Sequence, residues 1–263
     1  MTPPAAGPRG TSEPGPTATD LRHEILLVLA VSVAASALFA ALSLLRRLTA
    51  DVPLSQSQAT LNSSYAPGRP WLDLAYQLAV VATGVVPALL ALHLLRRSGV
   101  TAAAVGADLR RPRGDLMWGA LLAAAIGLPG LLLYLTAHRL GLSATIVAQS
   151  LPEVWWRYPV LVLSAAMNSV LEEVVEVAYL LTRLSQLGWR PGRAIAASAV
   201  LRGSYHLYQG FGAFVGNAVM GVVFGWFFHR TRRVAPLVVA HTLIDVIAFV
   251  GYALLRDRVG WLP

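Results

Sequence analysis

The chain of 263 residues is 56% hydrophobic and only 13% charged, a balance that excludes an ordinary soluble domain and is typical of a protein with several membrane-spanning helices. Its formal net charge is +8, and apart from histidine every basic residue is an arginine, with these arginines grouped between apolar runs. That distribution favours orientation in a membrane over binding of nucleic acid. Cysteine is absent, which excludes a disulfide framework, a thiolate nucleophile and a cysteine-based zinc site.

The first segment, residues 1–20, is rich in Pro, Gly and Thr and has few large apolar side chains. Such a segment cannot bury enough surface to offset the entropy of ordering, so we expect a disordered tail. The tail lacks the basic start of a cleaved signal peptide, and the apolar run after it is long enough to span a bilayer. A signal anchor is therefore expected.

Apolar runs of about twenty residues, the length of a helix that crosses a bilayer, predict an all-α, polytopic transmembrane helix bundle with about seven spans. In chain order the predicted spans are 25–45, 74–95, 116–136, 159–184, 194–207, 214–228 and 234–255. The fifth and sixth are short and could be tilted or half-buried. After the tail, the chain divides into N-terminal transmembrane helices over residues 21–150 and a core over residues 151–263.

Arginines between the predicted spans indicate the orientation of the bundle. They are concentrated between spans two and three, four and five, and six and seven. By the positive-inside rule these connections and the N-terminus are expected on the cytoplasmic side. Arg46, Arg47, Arg256 and Arg258 do not follow this pattern. No period of 20–50 residues repeats, which disfavours a solenoid or a two-half transporter.

Ionisable side chains within the predicted spans are concentrated in three helices near the C-terminus. The fourth, fifth and seventh spans together carry Glu172, Glu173, Glu176, Arg202, His206, His241 and Asp245. Charged groups persist in lipid mainly where they face the bundle interior and have a partner or a function. These three helices are therefore expected to build one polar cluster.

Helical spacing gives each of these helices a short polar stripe. Asn168, Glu172 and Glu176 are four residues apart and are expected on one helix face. Glu173 is expected about 100° around the helix from Glu172. The ionisable pairs in the fifth and seventh spans are also four residues apart, so three inward stripes could converge.

A cluster of this composition suits hydrolysis by an activated water molecule. A shielded carboxylate can take a proton from water, and an imidazole can position that water or relay protons. A second histidine with a short polar partner can donate hydrogen bonds to a developing oxyanion. Alternatively, Glu172, His206 and His241 could hold Zn²⁺ and leave a position for water. Residue types and spacing leave both mechanisms open.

The order and type of these motifs resemble the CPBP family of intramembrane endopeptidases, which includes the Rce1-type CAAX prenyl proteases and the Abi proteins. The usual family motifs are EExxxR, FxxxH and HxxxN or HxxxD; this chain has EEVVEV at 172–177, RGSYH at 202–206 and HTLID at 241–245. The resemblance covers roughly residues 155–250. It implies an all-α fold in which residues 151–263 form a protease core that cleaves a peptide bond within the membrane.

The resemblance also implies a role for each matching residue. Glu172 would activate the water with help from His206, and His241 and Asp245 would stabilise the oxyanion or hold the water. Glu173 would be a structural or electrostatic partner. No cofactor is needed on this glutamate mechanism, whereas Zn²⁺ belongs to the alternative one.

Two positions depart from the family pattern. Val177 stands where the family has arginine, and Arg202 stands where it often has phenylalanine. Glu173 would then lack its expected partner, and we hypothesise that Arg202 of the next span replaces it. Glu176 stands at a normally apolar position; it could be protonated, could face lipid near a water defect, or could be a third member of the site.

Three functions remain open at this stage. An endopeptidase that receives its substrate laterally from the bilayer is the leading interpretation. The departures also favour a non-catalytic immunity or scaffold partner, and the carboxylates would suit a proton or solute transporter. Membrane lipids and a membrane-associated peptide or protein are the expected partners, without nucleic acid. We expect an integral protein of a bacterial plasma membrane, whose substrate and oligomeric state the sequence leaves open.

Overall fold

The computed structural model describes residues 16–255 together with residue 258. Most of the predicted tail and Arg256 lie outside the described residues. Helices make up most of the described part, which confirms the predicted all-α fold. They are α1 (Ala18–Ala30), α2 (Val33–Leu48), α3 (Pro70–Gly84), α4 (Val86–Arg97), α5 (Pro112–Arg139), α6 (Arg157–Glu172), α7 (Leu180–Gln186), α8 (Pro191–Tyr205), α9 (Phe211–Thr231) and α10 (Ala235–Leu255).

Shorter elements join these helices. A π-helix, Glu173–Tyr179, connects α6 to α7, and 3₁₀ turns occupy Leu54–Gln56, Ala102–Val105 and Leu207–Gln209. Two strands of three residues, β1 (Gln58–Thr60) and β2 (Thr145–Val147), pair in parallel with Gln58 opposite Thr145.

Local sequence signals account for several helix starts. Thr17 and Asp20 form a capping box, in which each side chain accepts a hydrogen bond from the other residue's backbone N–H. The helix therefore begins at Ala18, before the predicted end of the tail. Proline lies in the first turn of α3, α5 and α8, where its missing N–H costs no hydrogen bond.

The number of predicted spans is not confirmed. In the described part of the chain, four helical stretches are long and apolar enough to cross a membrane: 70–97, 112–139, 211–231 and 235–255. A fifth is reached if α1 and α2, which are bent by 51° to each other, count as one span. The protein is thus an integral membrane protein, and the predicted spans 159–184 and 194–207, which are not among these stretches, carry the buried charges.

The helix formed by α6, the π-helix and α7 lies at the centre of the bundle, since every residue from 173 to 184 is buried. α10 packs against α5 and α6, and α8 packs against α9 and α2. A Cβ added to Gly221 of α9 would lie 2.8 Å from the Cα of Ala199 in α8. Glycine therefore brings the backbones of α8 and α9 into close contact, as small residues do in membrane helix pairs.

Three arginine-rich connections meet at one end of the bundle, as their predicted common side requires. Arg183 after the π-helix donates to Glu24 of α1 at 2.7 Å and to Ser98 after α4 at 2.7 Å. The connection before α10 hydrogen-bonds to the one before α5, through Val234 N and Val105 O at 3.0 Å. These contacts hold the three connections together at that end of the bundle.

Candidate active site

The π-helix determines how the glutamates are presented. Its i→i+5 hydrogen bonds change the angular spacing of side chains, and π-helical turns within α-helices are frequent at functional sites. Glu173 and Glu176 are both fully buried, whereas the side chain of Glu172 is 14% exposed. The carboxylates of all three glutamates lie close to one arginine, Arg202. Glu173 was expected about 100° around the helix from Glu172, but its carboxylate still joins the same cluster.

Arg202 of α8 is the cation at the centre of the cluster. Its Nη1 and Nη2 donate to the two carboxylate oxygens of Glu173 at 2.8 and 2.9 Å. Its Nε lies 3.2 Å from Glu176 Oε2, and its Nη1 lies 3.6 Å from Glu172 Oε2. The structure therefore contains the contact hypothesised from the sequence. A guanidinium fork matches a carboxylate in this two-bond geometry.

His241 of α10 is a second polar group in contact with Glu173, at the Oε1 that also accepts from Arg202. Its Nδ1 lies 2.7 Å from Glu173 Oε1, and its Nε2 lies 3.7 Å from Asp245 Oδ2. Because a carboxylate oxygen accepts, Nδ1 carries the hydrogen of the shorter contact. The predicted pair on α10 is thus brought to the cluster, where His241 contacts Glu173 and Asp245 lies beside His241.

His206 follows the last residue of α8. Its Nδ1 lies 3.0 Å from the carbonyl oxygen of Arg202, which can only accept, so Nδ1 is the donor and Nε2 is the acceptor in the neutral ring. The ring packs against that of Tyr205 with centroids 4.6 Å apart. His206 is therefore fixed in orientation by its own helix and keeps Nε2 for another partner.

Tyr205 is the member of the site that sequence reasoning missed. Its hydroxyl lies 2.6 Å from Glu172 Oε2 and 3.0 Å from Glu176 Oε2. The sequence did contain an indication of its role: Tyr205 follows Arg202 by three residues on the same helix, and this spacing places two side chains next to each other. Glu176, whose role was left open, is a third carboxyl group of the cluster.

A cavity of about 400 Å³ leads to Glu172. It lies between the break that separates α1 from α2, the break that separates α3 from α4, and one face of α6. The polar residues on its wall are Ser32, Ser36, Thr83, Asn168, Glu172 and Tyr205. Asn168 and Glu172 thus share one face, as their spacing predicts. A Cβ on Gly84 would lie 2.5 Å from Met167 Sδ, so glycine lets α3 approach α6 beside the cavity.

The donor atoms that come together do not match the zinc set considered from the sequence. Among the described residues, Glu172, Glu173 and His241 have ligand atoms within 4.8 Å of one another, and His206 is not part of this group. Both oxygens of Glu173 already accept from Arg202. A zinc ion bound to Glu173 would lie against that guanidinium, so this donor set does not fit a metal.

Part of the chain matches a known protein family. The model of the family described as type II CAAX prenyl endopeptidase Rce1-like matches residues 154–247. This range extends from just before α6 into α10 and includes every residue of the cluster described above. It agrees with the motif-based resemblance to the CPBP family and supports a hydrolase of the intramembrane protease kind. Neither the curated proteins nor the solved structures contain a match to the chain.

Proposed function

We propose that the protein is an intramembrane endopeptidase whose Rce1-like domain, residues 154–247, hydrolyses a peptide bond of a membrane-associated substrate with a water molecule activated by Glu172. The observation that carries the proposal is the position of Glu172. It is the one glutamate of the three that reaches the cavity, while Glu173 and Glu176 are fully buried behind it. A partly shielded carboxylate beside a cavity is suited to act as a general base.

The proposed reaction begins with a water molecule between Glu172 and the substrate carbonyl. Glu172 removes a proton from the water as the water oxygen adds to the carbonyl carbon, and it later gives that proton to the leaving nitrogen. His206 accepts a hydrogen bond from the same water at Nε2, the nitrogen left free by its contact with Arg202 O. The products are a carboxyl group and an amine, and the enzyme returns to its starting state.

His241 supports the tetrahedral intermediate in this mechanism. Its Nδ1 is held by Glu173, which fixes the ring, and Asp245 lies beside its Nε2. With both ring nitrogens protonated, Nε2–H donates to the developing oxyanion in a site shielded from bulk water. Asp245 orients this nitrogen and balances its charge.

Arg202 supplies the positive charge that the family motif places at the position of Val177. It binds Glu173 through both oxygens and lies 3.6 Å from Glu172, so it stabilises the carboxylate pair from the neighbouring helix. The departure at Val177 favoured a non-catalytic partner as long as Glu173 had no counterion. With Arg202 in place, that departure no longer distinguishes a partner from an enzyme.

The substrate reaches the site from the lipid side in this proposal. The cavity opens between α1–α2 and α3–α4, whose outer faces carry exposed apolar side chains such as Leu38, Phe39 and Leu78. An extended peptide at the membrane, prenylated or not, fits such an approach. We further propose a bacterial plasma membrane with the arginine-rich connections and the N-terminus in the cytoplasm.

Cleavage of a library of membrane peptides by the purified full-length protein tests the proposal. We expect cleavage by the wild type, a loss of kcat of about 100-fold or more for Glu172→Ala and His206→Ala, and no loss with a chelator. Glu153→Ala is the matched control, since this glutamate is 89% exposed and outside the cluster. Cleavage that survives Glu172→Ala, or that the chelator abolishes, would contradict the glutamate mechanism.

A further inference from the structure

We propose that Tyr205 is a positioning residue that fixes one oxygen of Glu172 and joins it, through a shared hydrogen-bond chain, to a Glu176 that carries a hydrogen. The inference rests on the proposed function, because it assigns the support of the catalytic base. It also gives Glu176, which the reaction itself does not use, a defined part in the site.

Hydrogen counting gives the direction of the chain. The Tyr205 hydroxyl contacts Glu172 Oε2 at 2.6 Å and Glu176 Oε2 at 3.0 Å, but it has a single hydrogen to donate. An ionised carboxylate can only accept, so two ionised glutamates would leave one contact without a hydrogen. The shorter distance is typical of a hydroxyl that donates to a carboxylate. Tyr205 therefore donates to Glu172 and accepts from Glu176.

The surroundings of Glu176 support the same assignment. Arg202 directs both of its terminal nitrogens to Glu173, and its Nε makes no hydrogen bond to Glu176 despite lying 3.2 Å away. Glu176 Oε1 is buried and has no hydrogen-bond partner among the described residues. A buried, ionised carboxylate with one unpaired oxygen is strongly disfavoured, and a hydrogen on Glu176 removes that penalty.

The consequence for Glu172 is positional. Tyr205 occupies Oε2, while no described residue hydrogen-bonds to Oε1 of the same carboxylate. Glu172 lines the cavity, so Oε1 is the oxygen that is free for water. Without the phenol hydrogen, the carboxylate can rotate and loses a bond that favours its ionised form.

Several other titratable and charged groups surround Glu172, and Tyr205→Phe removes none of them. They come from its own helix, from α8 and the turn after it, and from α10: Glu173, Glu176, Arg202, His206, Tyr208, His241 and Asp245. A substitution that removes only the Tyr205 hydroxyl therefore measures the effect of that hydroxyl while every other ionisable group near Glu172 is retained.

Tyr205→Phe in the full-length protein is the first test. We expect kcat to fall about 10-fold or more with KM nearly unchanged, and the acidic limb of the kcat profile to move to higher pH by about one unit. Tyr179→Phe is the matched control, because Tyr179 lies in the π-helix and donates to Glu24 Oε1 at 3.0 Å, away from the cavity. An acidic limb that Tyr205→Phe leaves in place would overturn the proposal.

Two substitutions at Glu176 test the direction of the second hydrogen bond. A glutamine amide donates to Tyr205 as a protonated carboxyl group does, so Glu176→Gln should keep kcat within about threefold of the wild type. Glu176→Ala should behave like Tyr205→Phe. Equal damage by the two substitutions would show that Glu176 acts as an ion, contrary to the proposal.

A readout that does not need activity separates this inference from the proposed function. A hydrophobic carbodiimide reacts with protonated carboxyl groups, and mass spectrometry measures its addition to Glu172 across pH. Tyr205→Phe should shift half-labelling of Glu172 to higher pH, and Tyr179→Phe should not. A shift in a protein that cleaves nothing would support the positioning role and contradict the protease. An unshifted profile in an active protein would overturn the positioning role alone.

Discussion

Two arginines in this protein bind carboxylates in nearly the same way and have different surroundings. Arg233 donates from Nε and Nη2 to the two oxygens of Asp115 at 2.8 and 2.7 Å, and Arg202 donates from Nη1 and Nη2 to the two oxygens of Glu173 at 2.8 and 2.9 Å. Arg233 lies at the end of the bundle with its side chain 14% exposed, whereas Arg202 is fully buried. The fork geometry by itself therefore does not distinguish a structural pair from a functional one.

The difference lies in what surrounds each fork. Arg233 also binds Asp108 at 3.2 Å and ties the connection before α5 to the connection before α10. Around Arg202 there are three glutamates, a histidine and a tyrosine, beside a cavity that reaches Glu172. Arg202 has one positive charge and three glutamates around it. Buried carboxyl groups without a matching cation are costly in a membrane protein, so their presence is a stronger indication of a functional site than the ion pair itself.

The largest effect on stability is expected from Arg202→Leu. The change leaves Glu173 buried without its counterion, which costs about 3–5 kcal/mol, so the unfolding midpoint in detergent and the folded yield should fall sharply. Adding Glu173→Gln removes the uncompensated charge and should recover part of the loss. The measurement is a double-mutant cycle of unfolding midpoints. Effects of the two changes that simply add would contradict the pairing.

A smaller effect is expected from Arg233→Leu, the matched change at the other fork. Loss of its hydrogen bonds to Asp115 and Asp108 should cost about 1–3 kcal/mol of the free energy of unfolding. The cost is smaller than at Arg202 because the side chains of Asp108 and Asp115 keep 15% and 9% of their surface exposed, whereas Glu173 keeps none. Cleavage per folded molecule should be unchanged. If Arg233→Leu lost as much stability as Arg202→Leu, or lowered kcat in the folded fraction, Arg233 could no longer be described as a purely structural ion pair.

The smallest effect is a pH dependence at the carboxylates bound by Arg233. The backbone N–H of Arg110, together with Arg233, lowers the pKa of Asp108 in the connection outside the spans. Its stabilising contribution is therefore complete above the ordinary aspartate pKa of about 4, and it is lost as the pH falls through the lower pKa of the folded protein. Asp108→Asn should reduce stability slightly at pH 7 and have no effect at the acidic end. A difference independent of pH would contradict this assignment.

Residue type and motif order were sufficient to predict which helices bring their charged groups together. Charged groups in apolar spans pointed to Glu172, His206 and His241, and the lack of a counterion for Glu173 pointed to Arg202. Both inferences follow from the cost of charge in lipid, which a sequence displays directly.

The π-helix and the helix breaks were not predictable in the same way. A π-helical turn depends on packing around 173–184, where every residue is buried, and no local propensity marks it. Pro87 lies in the first turn of α4, directly after a break, whereas Pro129 lies inside the unbroken α5. Proline alone therefore does not tell where a span is interrupted, and tertiary contacts decide.

The close contact of α8 with α9 has a consequence for how the cavity can change its width. Besides Gly221, Gly203 of α8 fits so tightly that an added Cβ would lie 2.8 Å from the carbonyl oxygen of Phe214 in α9. The wall that carries Tyr205 is thus fixed at two points along its backbone. On the proposed function, room for a bulky peptide at Glu172 would therefore come from the cavity walls formed by α2 and α3, and not from the α8–α9 pair.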